Sequence, residues 1–336
     1  MMDSEPTYLT ADDLPKVSVV IPAFNVAPYV GDAIRSALAQ RGVSLEVIVV
    51  DDGSTDATRD VLQAFAGDPR VRLILQENQG PSGSRNTALA AARGAFVGFL
   101  DADDLWMPTK AARHVALMTA DPSIDLSYSW WHTIDDASRP TGRSSTVAAA
   151  RVLGGLTFSG LVIENFTGTA STVFCRRDAV VQVGGFDPAL RSNVDLDLLL
   201  RLAARRPGNI ALVPEILTAY RMRSDQITKN WLLMETNWRT VIEKAAQIAP
   251  AEVARVHRVA LARQCRYLAY IAYEARDLYA ARRLLAKAWL NRPSALVRDR
   301  RAWLTTAAVI ASFLPAPLHE ALAQRVVSLR ARRAHA

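Results

Sequence analysis

Runs of β-branched and other apolar residues alternate with helical patterns over the first 130 residues of the chain. Four apolar runs predict strands over 17–22, 46–50, 71–75 and 95–100. Apolar residues at helical spacing predict helices over 29–40, 55–66, 84–93 and 108–120. Alternation at this pitch is typical of βαβ units. It predicts an α/β fold with a mostly parallel, Rossmann-like sheet that carries helices on both faces.

After residue 223 the pattern is helical to the end, with no strand signal. We therefore predict an α/β domain over 16–230 and a helical C-terminal region over 231–336. The polar segment 1–15 is predicted to be flexible.

The bulk properties exclude several classes of protein. The chain has 336 residues, half of them hydrophobic, which excludes a disordered protein. It contains no apolar run of 18 residues, and its start is polar and acidic where a secretory signal would be basic and then apolar. Cys175 and Cys265 lie far apart without metal-ligand spacing, so two free thiols in a reducing compartment are expected. We therefore predict a cytoplasmic protein.

The positive charge is concentrated near the C-terminus. Residues 251–336 carry 16 Lys and Arg against 5 Asp and Glu, whereas residues 1–250 carry 24 against 28. This distribution argues against a nucleic-acid binder and favours local contact with an anionic surface. The apolar segment 303–318 is interrupted by Pro315 and Pro317 and flanked by arginines, including those between Arg325 and Arg333. It is interpreted either as a peripheral membrane segment at the inner face of the membrane or as a buried core helix.

Two predicted strands end in acidic residues. The second runs into Asp51 and Asp52, and the fourth into Asp101, Asp103 and Asp104. Because ligands bind beyond the carboxyl ends of parallel strands, both groups are expected at one functional edge. The first group also suits a glycine turn followed by helix capping. Capping needs only one carboxylate, however, so the second group indicates a bound divalent cation such as Mg²⁺ or Mn²⁺.

Four motifs in order resemble those of the family 2 glycosyltransferases, which are inverting enzymes of GT-A fold. They are VSVVIPAFN (17–25), EVIVVDDGSTD (46–56), NQGPSGSRN (78–86) and FLDADD (99–104), and the resemblance covers residues 16–223. The resemblance implies that the base of a nucleotide-sugar is held by Pro22, Ala23, Phe24 and Asp52. It also implies that the segment from Gly80 to Asn86, including Arg85, shapes the nucleotide pocket.

The resemblance also assigns roles to the acidic cluster. Asp101 and Asp103 are expected near ribose and phosphate, and Asp103 or Asp104 on a Mn²⁺ or Mg²⁺ ion. The division of labour among these three residues stays open.

The family's general base corresponds to Asp195, in a segment where the usual preceding Glu is Val194. The alternative is that Asp195 only caps a helix. A second departure concerns the Tyr-Arg-x-His motif of many members, which here ends in Arg223. An arginine cannot ligate a metal but can contact the leaving diphosphate.

Other candidate residues are interpreted as structural. His114 lies within a predicted helix and is expected at the surface rather than as a ligand. Trp130 and Trp131 follow a predicted strand, where their rings either stack on a sugar or pack against the protein.

The resemblance implies inverting, metal-dependent transfer of a single sugar from a nucleotide-sugar, with a UDP-sugar as the first expectation. The acceptor would be a hydroxyl of a glycan or lipid-linked molecule, in cell-surface polysaccharide or glycolipid biosynthesis, and no nucleic acid is expected as partner. One alternative is a nucleotidyltransferase, which would ordinarily carry a Gly-rich loop with Arg and Lys after its first strand. The other is a degenerate protein that binds sugar nucleotides without catalysis.

Overall fold

The computed structural model describes residues 16–147, 151–223, 226–297 and 299–314. The predicted segment 1–15, both prolines of the apolar segment and the arginines after residue 324 lie outside the described residues. The chain forms two compact units. The first consists of Met1–Trp131, Thr167–Ala189 and Gly208–Tyr220, and the second of His132–Phe166, Leu190–Pro207 and Arg221–Ala336. The domain boundary at residue 230 stays a prediction.

The strands form one mixed sheet. They are β1 (Val17–Ala23), β2 (Leu45–Asp51), β3 (Val71–Leu75), β4 (Phe96–Phe99), β5 (Leu105–Trp106), β6 (Leu126–Ile134), β7 (Pro140–Ser145), β8 (Val173–Arg176) and β9 (Ile210–Arg221). Their order is β3-β2-β1-β4-β8-β6-β9-β5, and β7 pairs with β6. The strands β3, β2, β1 and β4 are parallel, as predicted. The strand β8 then pairs antiparallel with both β4 and β6, and β5 pairs antiparallel with β9.

Twelve α-helices are described. They are α1 (Ala27–Leu38), α2 (Thr58–Gln63), α3 (Gly80–Ala91), α4 (Lys110–Ala120), α5 (Phe158–Ile163), α6 (Arg177–Gln182), α7 (Val194–Ala203), α8 (Trp231–Ile248), α9 (Pro250–Glu274), α10 (Leu278–Asn291), α11 (Pro293–Leu296) and α12 (Arg300–Ala311). The helical region after residue 230 is therefore confirmed for the part of the chain that the structure describes.

The third helix begins four residues earlier than predicted. Gly80 starts it with a φ of +79°, a conformation that favours glycine, and Pro81 occupies the first turn. Proline suits this position because its missing N–H would have no partner within the helix. The early start brings both Gly80 and Arg85 onto α3.

Each unit has its own hydrophobic core. In the first unit, fully buried residues of β1 and β2, such as Val19 and Val47, pack with α1 and with Phe174 of β8. The strands β1 and β2 are almost wholly buried, which explains why they read as continuous apolar runs. In the second unit, α9 and α10 pack through small residues and leucines such as Ala269 and Leu284.

Candidate active site

The carboxyl ends of β1 and β4 mark a switch point in the first unit. The chain runs outward from β1 through β2 to β3 and then returns to β4 on the other side of β1. Open α/β sheets bind ligands in the crevice that such a reversal creates. At the end of β1, Ala23 is buried and Phe24 is 47% exposed. Pro22, within the strand, is partly buried.

Asn25 joins the loops that follow β1 and β2. It has a φ of +51°, and its side-chain oxygen accepts hydrogen bonds from the backbone N–H groups of Thr55 (2.8 Å) and Asp56 (3.3 Å). In return, Ser54 Oγ accepts from the Asn25 N–H at 3.1 Å. This exchange explains why α2 begins at Thr58 rather than near residue 55. Sequence reasoning missed this role of Asn25, although asparagine is a common residue in the left-handed conformation.

Asp52 is fixed at the N-terminus of α3. Its side chain is buried, with Oδ1 accepting hydrogen bonds from Gln76 Nε2 (2.6 Å) and the Gln79 N–H (2.9 Å). Its Oδ2 accepts from the Gly80 N–H at 2.8 Å. The carboxylate therefore satisfies backbone donors at the N-terminal end of the helix.

Arg85 and Asp101 form an ion pair within the first unit. The Arg85 side chain is 7% exposed, also donates to the Pro81 carbonyl at 2.9 Å, and lies over the ring of Phe186. Asp101 is held from a second direction, because its N–H donates to Ser171 Oγ at 3.0 Å. Two residues of separate predicted motifs thus meet at one edge of the sheet.

Asp103 and Asp104 lie in the turn after β4. Asp103 is partly exposed, whereas Asp104 is fully buried and its N–H donates to the Asp101 carbonyl at 3.0 Å. This backbone hydrogen bond closes the turn from Asp101 to Asp104. Among the described residues, no group of three or more His, Cys, Asp and Glu side chains could hold a metal ion.

Asp195 lies in the first turn of α7, in the second unit. The preceding Asn193 has a φ of +54°, and Asn165 Nδ2 donates a hydrogen bond of 2.9 Å to Asp195 Oδ2. Sequence reasoning missed Asn165, because a contact across 30 residues leaves no periodic signal. The nearby Asp197 is buried and pairs with Arg201, whose Nε lies 3.0 Å away.

Asp197 also pairs with Lys244 of α8. The two carboxylates of this helix therefore differ in surroundings. Asp197 is neutralised by two cations in a buried structural pair, whereas the partly exposed Asp195 is oriented by a neutral amide.

Arg221 and Arg223 differ in how far their side chains are buried. Arg221 is buried and donates to the Asp135 and Asp136 carbonyls at 2.7 and 3.2 Å, so it fixes a turn. Arg223, two residues beyond the buried end of β9, is partly exposed.

The prediction that His114 is a surface residue is wrong. Its ring is fully buried and stacks on Phe174 with a centroid distance of 4.5 Å. The buried Lys110, one turn earlier, donates to Ser129 Oγ at 2.8 Å and to the Thr172 carbonyl at 3.0 Å. Burial lowers the pKa of both Lys110 and His114 well below their ordinary values, and the charge of Lys110 lowers that of His114 further.

The structure also describes the tryptophan pair and the two cysteines. Trp130 and Trp131 lie within β6 rather than after a strand, and the Trp131 ring packs edge-on against Tyr220 at 5.6 Å. Cys175 and Cys265 are both free and buried, as expected. No described helix has the length and hydrophobicity that a membrane crossing requires.

The chain matches known glycosyltransferases in sequence and fold. Residues 18–184 match the model of "Glycosyl transferase family 2". The chain is 35% identical over 226 residues to the succinoglycan biosynthesis protein ExoO of Rhizobium meliloti, and the match covers 65% of this chain and 64% of ExoO. It is 31% identical over 228 residues to the putative teichuronic acid biosynthesis glycosyltransferase TuaG of Bacillus subtilis, and that match covers 67% of this chain and 86% of TuaG.

Among solved structures, the mannosyltransferase PcManGT from Pyrobaculum calidifontis, determined with GDP-Man and Mn²⁺, aligns with a TM-score of 0.55 at 21% identity. The alignment covers 98% of this chain and 88% of PcManGT, and it supports the predicted GT-A fold. With the four motifs placed at the edge of the sheet, the sequence matches show that this chain belongs to glycosyl transferase family 2.

Proposed function

We propose that this chain transfers a single sugar from a nucleotide-sugar to an acceptor hydroxyl, with inversion at the anomeric carbon. The observation that carries the proposal is the joining of motifs at the switch point of the first unit. Asp52 binds the N-terminus of α3, and Arg85 of the same helix pairs with Asp101 beyond β4. This arrangement places polar groups of three motifs at one edge of the sheet, where ligands of open α/β sheets bind.

The nucleotide base would bind beside Asp52. A carboxylate offers about four lone-pair sites, and Asp52 uses three of them on Gln76, Gln79 and Gly80. A further N–H donor, such as that of a pyrimidine or purine base, therefore matches the remaining capacity. The exposed ring of Phe24 supplies an apolar surface for the base, and Pro22 and Ala23 precede it at the end of β1.

Arg85 acts as a positioning residue for the donor. Because its guanidinium is buried and paired with Asp101, it fixes the orientation in which that carboxylate would accept ribose hydroxyls. UDP is the first nucleotide to test, because the family resemblance favours a UDP-sugar. GDP is the second, because PcManGT is bound to GDP-Man.

Asp103 and Asp104 would hold the metal. Hard divalent cations prefer oxygen ligands and commonly bind through one or two carboxylates together with substrate phosphates, and these two residues provide that number. The Mn²⁺ of PcManGT supports the same choice of ion. When bound, such a cation supplies Lewis-acid stabilisation of the leaving diphosphate. Arg223 would add a charge-assisted contact to that diphosphate.

Asp195 would act as general base. The acceptor oxygen attacks the anomeric carbon from the face opposite the diphosphate, and its proton passes to a carboxylate oxygen of Asp195. The bond from the anomeric carbon to the diphosphate oxygen breaks in the same step, so no covalent glycosyl-enzyme forms. Asn165 fixes the rotation of the carboxylate through its bond to Oδ2. General-base catalysis of this type contributes about 10²- to 10⁴-fold in rate.

The acceptor is proposed to be a glycan or lipid-linked molecule of cell-surface polysaccharide or glycolipid biosynthesis. The names of two relatives, ExoO for succinoglycan biosynthesis and TuaG for teichuronic acid biosynthesis, support this proposal. The helix α12 supports peripheral contact with the inner face of the membrane. Its apolar side chains Trp303, Leu304 and Ile310 are about half or more exposed, and Phe313 beyond its end is 67% exposed. Apolar side chains beside arginines suit the surface of an anionic membrane.

A panel of UDP-, GDP- and dTDP-sugars tests the proposed reaction. The full chain is incubated with each donor and Mn²⁺, and release of nucleoside diphosphate is measured. Release from one nucleotide class supports the proposal. Formation of a nucleotide-sugar from a sugar phosphate and a nucleoside triphosphate would instead assign a nucleotidyltransferase. Tight donor binding without turnover, with or without candidate acceptors, would assign a protein that only binds.

A further inference from the structure

The second unit contains a cluster of three arginines and two carboxylates, here named the arginine cluster. Glu164 follows α5, Arg263 and Arg266 lie on α9, Asp299 precedes α12, and Arg301 lies in its first turn. The five side chains carry one more positive than negative charge. Because they come from three segments that are distant in sequence, no motif search would group them.

The pairing within the arginine cluster is uneven. Glu164 accepts from Arg263 and, at 2.9 Å, from Arg301. Arg266 has the weakest pairing, because its Nε lies 3.8 Å from the Asp299 oxygen, beyond hydrogen-bond distance. Among the described residues, neither this Nε nor that oxygen has a hydrogen-bond partner, and the Arg263 Nε also lacks one.

Arg266 is buried despite this weak pairing. Its side chain is 7% exposed, and burial, followed by the charge of Arg301, lowers its pKa from the ordinary value. A buried cation destabilises a protein unless charges and hydrogen bonds compensate it. An added anion would supply the missing compensation.

The arginine cluster is open to solvent on one side. The exposed fraction of the side chain falls from 59% for Arg301 to 17% for Arg263 and 7% for Arg266. The Arg301 side is therefore where a small anion would approach, and charge-assisted hydrogen bonds are strong beside buried arginines.

The arginine cluster also adjoins the proposed base. Asn165, which donates to Asp195, directly follows Glu164. Tyr267 directly follows Arg266. Burial raises the pKa of Tyr267 against the lowering effect of Arg266, and the charge of Asp195 raises it further. Asp195 therefore lies within electrostatic range of the segment that carries Arg266.

We propose that the arginine cluster binds a phosphate group of the acceptor and so places the acceptor hydroxyl near Asp195. Guanidinium groups match phosphate because their N–H donors form two parallel bonds to its oxygens. This proposal rests on the proposed glycosyl transfer and adds the chemical class of the acceptor. A phosphate on a lipid carrier and free phosphate share this chemistry, and the test separates them.

Calorimetric titration of the full chain with geranyl phosphate, inorganic phosphate and glucuronate tests the proposal, with saturating UDP and Mn²⁺ to occupy the donor site. Arg266→Gln and Arg301→Gln are compared with Arg258→Gln, which removes the same charge from an exposed position of α9. Arg301 is more than half exposed, so its variant keeps the test valid should Arg266→Gln fail to fold.

Both cluster variants should bind phosphate compounds about ten- to a hundredfold more weakly than the wild type, as expected for the loss of a charged hydrogen bond, and Arg258→Gln should bind normally. Tighter binding of geranyl phosphate than of inorganic phosphate assigns the site to a lipid-linked acceptor. Equal binding of the two assigns it to phosphate itself.

Unchanged phosphate binding in both cluster variants would overturn the proposal, as would glucuronate binding as tightly as phosphate. Donor hydrolysis is measured separately on the wild type. A lack of turnover with every donor and acceptor would contradict the proposed reaction, whereas turnover with unchanged phosphate binding in the variants would contradict the arginine cluster alone.

Discussion

The side-chain amide of Asn165 donates a 2.9 Å hydrogen bond to Asp195 Oδ2, which fixes the orientation of the carboxylate in the first turn of α7. A base held in one orientation can meet an acceptor hydroxyl without first reorganising. Asp197, two residues later, is instead buried and paired with Arg201 and Lys244. The surroundings of these two carboxylates therefore favour Asp195 as the base.

We predict that Asp195→Asn lowers the rate of transfer about 10²- to 10⁴-fold, because an amide cannot accept the hydroxyl proton. The dissociation constant of the donor should change little, since the donor motifs lie on other segments. Steady-state kinetics and donor titration measure the two quantities. Leu198→Ile, a buried change of similar volume on the same helix, serves as control. Transfer by Asp195→Asn at the wild-type rate would refute the assignment.

Removal of metal should abolish transfer. We expect EDTA to stop the reaction and Mn²⁺ or Mg²⁺ to restore it, because the proposed site depends on a cation to stabilise the diphosphate. Asp104→Asn should raise the Mn²⁺ concentration needed for half-maximal activity at least tenfold, whereas Asp60→Asn, an exposed change on α2, should not. A transfer rate insensitive to EDTA would contradict the metal site.

Asp52→Asn should affect both stability and nucleotide binding. Each oxygen of Asp52 accepts from donors on the α3 side, so an amide nitrogen in place of one oxygen would face donors. We expect the free energy of unfolding to fall by about 1–3 kcal/mol, and UDP binding to weaken. Urea unfolding and titration with UDP measure these effects. Asp68→Asn changes a partly exposed carboxylate that pairs with Arg70, and it should leave UDP binding intact. An equal loss of UDP binding in both variants would exclude a specific role for Asp52.

His114 should make the protein less stable as the pH falls below 6.5. Burial and the charge of Lys110 lower its pKa in the folded state. Above pH 6.5 the ring is neutral in both states. As the pH falls through 6.5 the unfolded chain takes up a proton that the folded protein does not, so the free energy of unfolding decreases by up to about 1.4 kcal/mol per pH unit.

Urea unfolding at pH 7.5 and 5.5 measures this contribution. Between these two pH values the free energy of unfolding should decrease less in His114→Gln than in the wild type. In His257→Gln, at an exposed position of α9, it should decrease as much as in the wild type. The same pH dependence in all three proteins would show that His114 is protonated in the folded state.

Much of the first unit follows from sequence because its signals are local. The strands β1 and β2 are nearly continuous apolar runs, since both of their faces are buried. Parallel pairing then places the polar ends of β2 and β4 at one edge, as predicted. The positions of Asp52 and Asp101 could be predicted in this way because each lies within two residues of the end of a strand.

The contacts that orient these residues were not predictable in the same way. Asn165 meets Asp195 across 30 residues, and Asn25 meets Thr55 across 30 residues, through loops without periodicity. His114 was placed wrongly for a related reason. The helical pattern gives its position on α4 but not the ring of Phe174, some 60 residues later, that covers it.

The exposed apolar face of α12 should bind anionic membranes. Ala302, Thr305 and Val309 face the core of the second unit and are buried, so Leu304 and Ile310 lie on the outer side of the helix. Because the inner side belongs to the core, truncation of the helix would disturb the fold, whereas substitutions on the outer side should not.

We predict that Leu304→Glu and Ile310→Glu each lower the share of protein that sediments with vesicles containing phosphatidylglycerol, by about tenfold in partition coefficient. Each change removes an apolar side chain from the lipid interface and adds a charge that anionic lipid repels. Leu232→Glu, at an equally exposed apolar position on α8, should sediment like the wild type. Binding should also weaken at high salt, because lipid charge is then screened. Equal sedimentation of all four proteins, with melting temperatures unchanged, would show that α12 is not the membrane-binding surface.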